Sequence, residues 1–193
     1  MVRNAQRLAT ALTAILVLLG VGATAANAAV AARDAAWAKA FVGQQATSSA
    51  QLQKQIDTQL RIAPGGRQTA VNEISYDNGT FVVTFALPGQ AKVAAVEDCP
   101  SGWFCFYDHT AYGYPRGKLS SCYWQDLAKW GWNDRTESSS NGTSDDVEYI
   151  NHYDKGNPAN GDTYDQYLWD DLPFFAKGNV PYPNMADHVY RFC

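Results

Sequence analysis

The chain has 193 residues, 46% hydrophobic and 18% charged, with 6 Trp, 11 Tyr, 8 Phe, four cysteines and a formal net charge of −4. This is the composition of a folded protein, not a disordered one, and the length suits one domain with appendages or two small domains. The acidic balance argues against a nucleic-acid partner, which needs cations to neutralise phosphates, and no run beyond residue 30 is apolar enough to span a bilayer.

Arg3 and Arg7 precede an apolar run from Leu8 to Ala23, followed by Ala26-Asn27-Ala28. A basic start, a run short for a transmembrane helix and a small-x-small site read as a signal peptide over 1–28, with an uncleaved anchor as the competing reading. The chain is therefore expected to be secreted and extracellular, with no stable membrane insertion after cleavage. No cysteine lies near the junction to carry a lipid, and cleavage leaves 13 basic against 19 acidic residues. Four cysteines, Cys99, Cys105, Cys122 and Cys193, in an oxidising compartment predict two disulfides, and counting leaves all three pairings open. Zinc is the weaker reading of these cysteines, since no close Cys-x-x-Cys or His–Cys pair is present.

Residues 29–87 read as a helical and hairpin region. Ala29–Gln44 is rich in helix formers around the i,i+4 pair Trp37 and Phe41. Ser48 and Gln51 resemble a capping box for a second helix, with Leu52, Ile56 and Leu60 as a narrow apolar stripe and Pro64-Gly65-Gly66 as its stop. Glu73–Tyr76 and Thr80–Leu87 flank Asp77-Asn78-Gly79, a strong hairpin signal. A lone hairpin is marginal, so it should dock, and the stripe of the second helix is the nearest candidate. Pro88–Asp98 reads as a linker.

From Cys99 to Cys193 short aromatic runs alternate with Gly, Pro, Asn and Asp. Trp103–Tyr107, Lys118–Trp124, Val147–Tyr153, Tyr164–Trp169 and His188–Phe192 read as strands, and Gln125–Trp130 as briefly helical. Many short strands at close spacing predict a sandwich or barrel over 99–193. Trp103, Trp124, Trp130, Trp132 and Trp169 read mainly as core, with sugar stacking as the competing use; Trp130 and Trp132 flank Gly131 in an expected loop, which would leave one of them exposed.

Catalytic motifs are missing. There is no Gly-x-Ser-x-Gly elbow, His-Glu-x-x-His helix or glycine-rich phosphate loop. His109, His152 and His188 are scattered, each beside an acidic or amide residue, and read as surface residues unless the fold assembles them. The chain is read as a non-enzyme requiring no cofactor.

The run Cys99-Pro-Ser-Gly-Trp-Phe-Cys105, Phe106-Tyr107, Tyr112-Gly113, Cys122 and Trp132-Asn133-Asp134-Arg135 resembles secreted actinobacterial β/γ-crystallin-like domains of peptidase inhibitor family I36, typified by a Streptomyces metalloproteinase inhibitor. The resemblance implies a mainly β, Greek-key sandwich stapled by disulfides, preceded by the helical segment and hairpin. It implies the pairs Cys99–Cys105 and Cys122–Cys193. It places Tyr107 and Tyr112 at the two aromatic positions of a folded hairpin, with Gly113 one residue before the family's glycine position, which holds Tyr114. It implies an extracellular protease as partner, blocked by a rigid loop that the sequence does not identify; Ser138–Asp145, Asp154–Thr163 and Lys177–Asn184 are the candidates. The alternative is a structural or envelope module that binds glycan. The resemblance also suggests weak calcium at Asn133, Asp134, Glu137 and Ser138, with Glu137 standing where a hydroxyl residue is usual, against a reading in which the stretch is only a turn. The related stretch Asn184–His188 is degraded. Hard oxygen ligands suit calcium, and a loose two-carboxylate site implies a Kd of about 10⁻⁴–10⁻³ M.

Overall fold

A computed structural model of the chain describes Val30 and residues 33–90, 97–153 and 164–193. The expected signal peptide, most of the expected linker and the candidate loop 154–163 lie outside the described residues. The chain divides into two units, Met1–Trp37 and Ala38–Cys193, and all described strands belong to the second.

Helix α1 covers residues 33–42 and helix α2 covers Ser49–Ile62. Ser48 caps α2 by accepting from the Gln51 N–H at 3.2 Å. The reciprocal contact is displaced by one residue, since the Gln51 side chain accepts from the Thr47 N–H and hydroxyl. Leu52 and Ile56 are buried as the stripe requires. Gln55 and Gln59 are buried as well, because each satisfies distant carbonyls: Gln55 donates to Phe41 O and Gln44 O, and Gln59 to Trp130 O. A buried amide is tolerated when its hydrogen bonds are made.

Eleven described strands follow in two sheets: β1 (Arg67–Ala70), β2 (Glu73–Tyr76), β3 (Phe81–Thr84), β4 (Phe104–His109), β5 (Gly113–Leu119), β6 (Tyr123–Asp126), β7 (Ser138–Asn141), β8 (Val147–Tyr153), β9 (Tyr164–Asp171), β10 (Ala176–Lys177) and β11 (His188–Arg191). One sheet has the order β1-β2-β3-β5-β4-β7-β10 and the other β6-β11-β8-β9. Strands β4 to β7 and β8 to β11 repeat one plan. In each set the first, second and fourth strands pair, and the third crosses into the other sheet. Side chains from both sheets, among them Phe104, Phe106, Leu119, Tyr149, Trp169 and Val189, share one core with Leu52 and Ile56 of α2.

The hairpin forms where the Asp-Asn-Gly signal put it, with Tyr76 opposite Phe81 and φ of 48°, 56° and 94° at Asp77, Asn78 and Gly79. It docks by strand pairing as well as against the helix. Strand β3 runs antiparallel to β5 from Phe81↔Leu119 to Thr84↔Arg116, so the sheet continues from residues before the expected linker to residues after it. Burial of every residue of β3 follows. Phe81 stacks on Trp130 with centroids 4.3 Å apart, and the Trp130 indole N–H donates to Asp77.

Three local expectations are corrected. Lys118–Trp124 is not one strand: β5 ends at Leu119, β6 starts at Tyr123, and the positive φ of 64° at Tyr123 marks the break. Only Leu127–Trp130 is helical, as a 3-10 turn capped by Asp126, while Gln125 and Asp126 close β6. Trp130 and Trp132 are both buried, and neither is exposed. Gly131 between them takes φ 64°, and a Cβ there would lie 2.4 Å from Ile62 Cγ2, so the turn folds in against α2. Strand β7, Ser-Ser-Ser-Asn, was invisible to propensity, because serine favours turns and caps.

In the β4–β5 connection Tyr107 packs edge-on against Tyr112 with centroids 5.5 Å apart, the aromatic contact the resemblance implied. The unusual backbone falls elsewhere. Ala111 and Tyr112 hold φ of 52° and 61°, while Gly113 serves by its lack of a Cβ, which would sit 2.7 Å from His109 Cβ. The Ser138 hydroxyl closes this folded hairpin, donating to His109 O at 2.6 Å and accepting from Tyr112 N–H at 3.0 Å.

Disulfides join Cys99 to Cys105 and Cys122 to Cys193, with sequence separations of 6 and 71. By loop-closure entropy the short bridge contributes about 2.4 kcal/mol and the long one about 4.4 kcal/mol. Replacing Cys122 and Cys193 with serine should therefore lower the unfolding free energy about twice as much as replacing Cys99 and Cys105. Equal losses in urea titrations would show that chain entropy is not what the long bridge supplies.

Candidate functional site

The four residues expected to hold calcium are all engaged by donors of the protein itself, Asp134 by the Asn133 amide at 3.5 Å. Lys39 of α1 donates its ammonium to Asn133 O at 3.0 Å and to Asn133 Oδ1 at 3.1 Å. Glu137 accepts from the Asn184 amide at 2.9 Å. Ser138 is buried in the hairpin contacts just described. Asp134 lies near Asp187 and Lys39; burial first, then Asp187, lifts its carboxyl above the usual range. Burial likewise lowers the Lys39 ammonium. The segment 133–138 thus meets a tethered cation supplied by the front of the chain. Beside it runs a cleft of about 360 Å³ bordered by Gly43, Asp108, Asp134 and Glu137.

The candidate loops fare differently. In the candidate Ser138–Asp145, Ser138–Asn141 is the buried strand β7 and not a loop, while residues 142–145 form a bend after it in which Thr143 is buried and Ser144 exposed. Lys177–Asn184 is tied down at Val180, whose N–H donates to Glu137 O, and at Asn184, whose N–H donates to Thr136 O; Tyr182 is its exposed aromatic.

The most exposed aromatic turn among the described residues lies between β9 and β10, where no candidate was expected. Leu172, Phe174 and Phe175 are 51%, 73% and 51% exposed. The Phe175 N–H donates to Leu172 O at 3.1 Å, closing a turn with Pro173 second and Phe174 third. Phe174 takes φ 57°. That position in a type II turn favours glycine, and a bulky residue there costs about 1–2 kcal/mol. Such strain persists only when the surroundings impose it. Here they do. Asn141, 1% exposed, donates its amide to Asp171 O and Leu172 O, and its backbone N–H to Phe175 O. Lys177 donates to Asp170 O and Asp171 Oδ1, and its ammonium lies 4.9 Å from the centre of the Phe175 ring. Phe174 also walls a second cleft, of about 240 Å³, that reaches Cys99 and Ser101. In sequence, Leu-Pro-Phe-Phe after two aspartates reads as core. Its one distinguishing signal is a proline inside an apolar run.

Asp171, fully buried, anchors this turn. Burial raises its carboxyl, against the opposing pull of Ser139 and Lys177. A carboxyl raised in the fold keeps its proton to higher pH than in the unfolded chain, so stability falls as pH climbs from about 3.9 through the raised value. Asp77, held low first by its contact with Lys129, acts oppositely and loses its contribution as pH drops through its lowered value. Asp171→Asn should flatten the fall of urea midpoints just above pH 4. An unchanged slope would assign it to other groups, Asp134 first among them.

The described residues around the turn thus present a braced apolar edge. Residues 92–161, spanning β4 to β8, match the family model described as Peptidase inhibitor family I36. No curated protein and no solved structure matches the chain.

Proposed function

We propose that the mature chain is a secreted, non-enzymatic inhibitor of an extracellular peptidase, of the I36 type, built on two β/γ-crystallin-like Greek keys. The family-model match carries this reading. The exchange of the third strand between the two sheets supports the Greek-key part, and two disulfides with no described helix able to cross a membrane fit secretion. The inhibitory element is the turn Leu172–Phe175. It lies beyond the matched residues, and its assignment rests on its exposure and bracing. A turn already ordered by Asn141 and Lys177 loses little freedom on binding, so its apolar contact converts efficiently into affinity. The partner's chemistry follows: a peptidase whose substrate cleft has a large apolar pocket. Calcium at Asn133, Asp134, Glu137 and Ser138 has to displace the Lys39 ammonium, in keeping with the weak affinity expected. Titration of the mature protein against secreted metallo- and serine peptidases tests the proposal. Slowing of at least one at micromolar concentration is expected, and none slowed overturns it. A second reading, glycan binding, is favoured by the exposed Tyr123, Trp124 and Phe192 at β6 and the end of β11, and retention on peptidoglycan or chitin in place of inhibition would select it.

A further inference from the structure

The fold assembles two of the scattered histidines. His152 on β8 stands directly opposite Asp165 on β9, with Nδ1 3.1 Å from Asp165 Oδ1. His188 on β11, the neighbour of β8 on its other side, brings its ring edge-on to His152 at 5.4 Å between centroids. One ligand atom from each of the three lies within 4.8 Å of the other two. We propose that His152, Asp165 and His188 form a site for one divalent transition-metal ion of the zinc class.

Donor type, spacing and preorganisation converge on this. Two imidazoles and a carboxylate are a zinc-class set, which a water completes to four ligands. Ligands on a tetrahedral zinc ion stand about 3.3 Å apart, given bonds of 2.0–2.1 Å. The His152–Asp165 pair already has about that spacing, exposed Asp165 has room to swing toward His188, and the two imidazoles need approach by no more than about 1.5 Å from the 4.8 Å limit. His188 is held by Trp124, whose ring centroid lies 4.7 Å away. Its Nδ1 is buried without a hydrogen-bond partner and lies 3.8 Å from the Asp126 carboxylate. Metal-bound histidines commonly give their second nitrogen to a carboxylate, so a short shift at Asp126 would satisfy that nitrogen and leave Nε2 to the ion. Asp187, which accepts from the His152 backbone N–H, adds negative charge nearby. The ion would clamp β9, β8 and β11, three adjacent strands of one sheet. The resemblance offered only calcium, a hard ion, at a different place, and this site does not depend on the peptidase reading.

The test uses the mature chain stripped with EDTA and titrated with zinc, with cobalt as a spectroscopic probe and calcium as the hard-ion control. One zinc per chain is expected. At about 100 times Kd, Tm should rise by roughly 5–10 °C. Cobalt should quench Trp124 emission and show visible bands of nitrogen and oxygen ligation. Asp165→Ala, at an exposed position, should weaken zinc at least tenfold while leaving the metal-free Tm in place, and His188→Ala should weaken zinc as much while also lowering the metal-free Tm, since its ring packs on Trp124. Calcium should not compete at this site. Failure to bind zinc at about 1 mM, or affinity undiminished from the unsubstituted chain in both Asp165→Ala and His188→Ala, overturns the proposal.

Discussion

Phe174→Ala should raise the inhibition constant against the target peptidase by roughly 30- to 1,000-fold, the 2–4 kcal/mol of an aromatic anchor at the centre of an interface. Folding stability should hardly change, since the ring is 73% exposed. Phe174→Gly sharpens the test. Glycine accepts the φ of 57° without a Cβ penalty, so this variant should lose inhibition while gaining about 1 kcal/mol of stability. The two readouts move in opposite directions only if the strain at Phe174 is retained for binding. Full inhibition by both variants, with loss instead on Tyr182→Ala, would transfer the function to the neighbouring loop.

The second large effect is on folding. Arg135→Ala should destabilise the chain by about 3–5 kcal/mol, because removing one partner of a buried pair strands the other charge. Arg135 is 3% exposed. Its Nε and Nη2 donate to the two oxygens of Asp108 at 2.8 and 3.1 Å. Nη1 donates to Gln59 Oε1 and Gly131 O, and the guanidinium lies 4.3 Å from the centre of the Trp132 ring. One side chain thus ties α2, the Trp130–Trp132 turn and β4 together. Adding Asp108→Ala should recover part of the loss, since the stranded carboxylate is then gone. A single-variant loss below about 1 kcal/mol in urea unfolding would mean that the pair is solvated.

These two sites were not equally legible. Arg135 stood inside the quoted motif, yet nothing local says that an arginine will be buried; its partners Gln59 and Asp108 are 76 and 27 residues away. Phe174 was invisible as a site because an apolar run defaults to core. The histidines were visible, but which of them meet depended on strand order. The 133–138 segment was read as a set of oxygen ligands, and the Lys39 ammonium that reaches it comes from 94 residues earlier.

Local chemistry determined what the sequence alone could settle: the Ser48 cap, the stripe of α2, the Asp77-Asn78-Gly79 hairpin, strand β8 and the even set of cysteines. Each depends on residues within a few positions of one another, where backbone preference and side-chain period act directly. The tertiary structure alone decided the pairing of β3 with β5, the exchange of β6 and β10 between sheets and the burial of Ser138–Asn141 as a strand. It also decided the braced turn at Phe174. These outcomes are set by which surfaces meet when the core closes. A polar strand is buried if neighbours on both sides take up its hydrogen bonds, and an apolar turn stays outside if a buried asparagine and a lysine hold its backbone there.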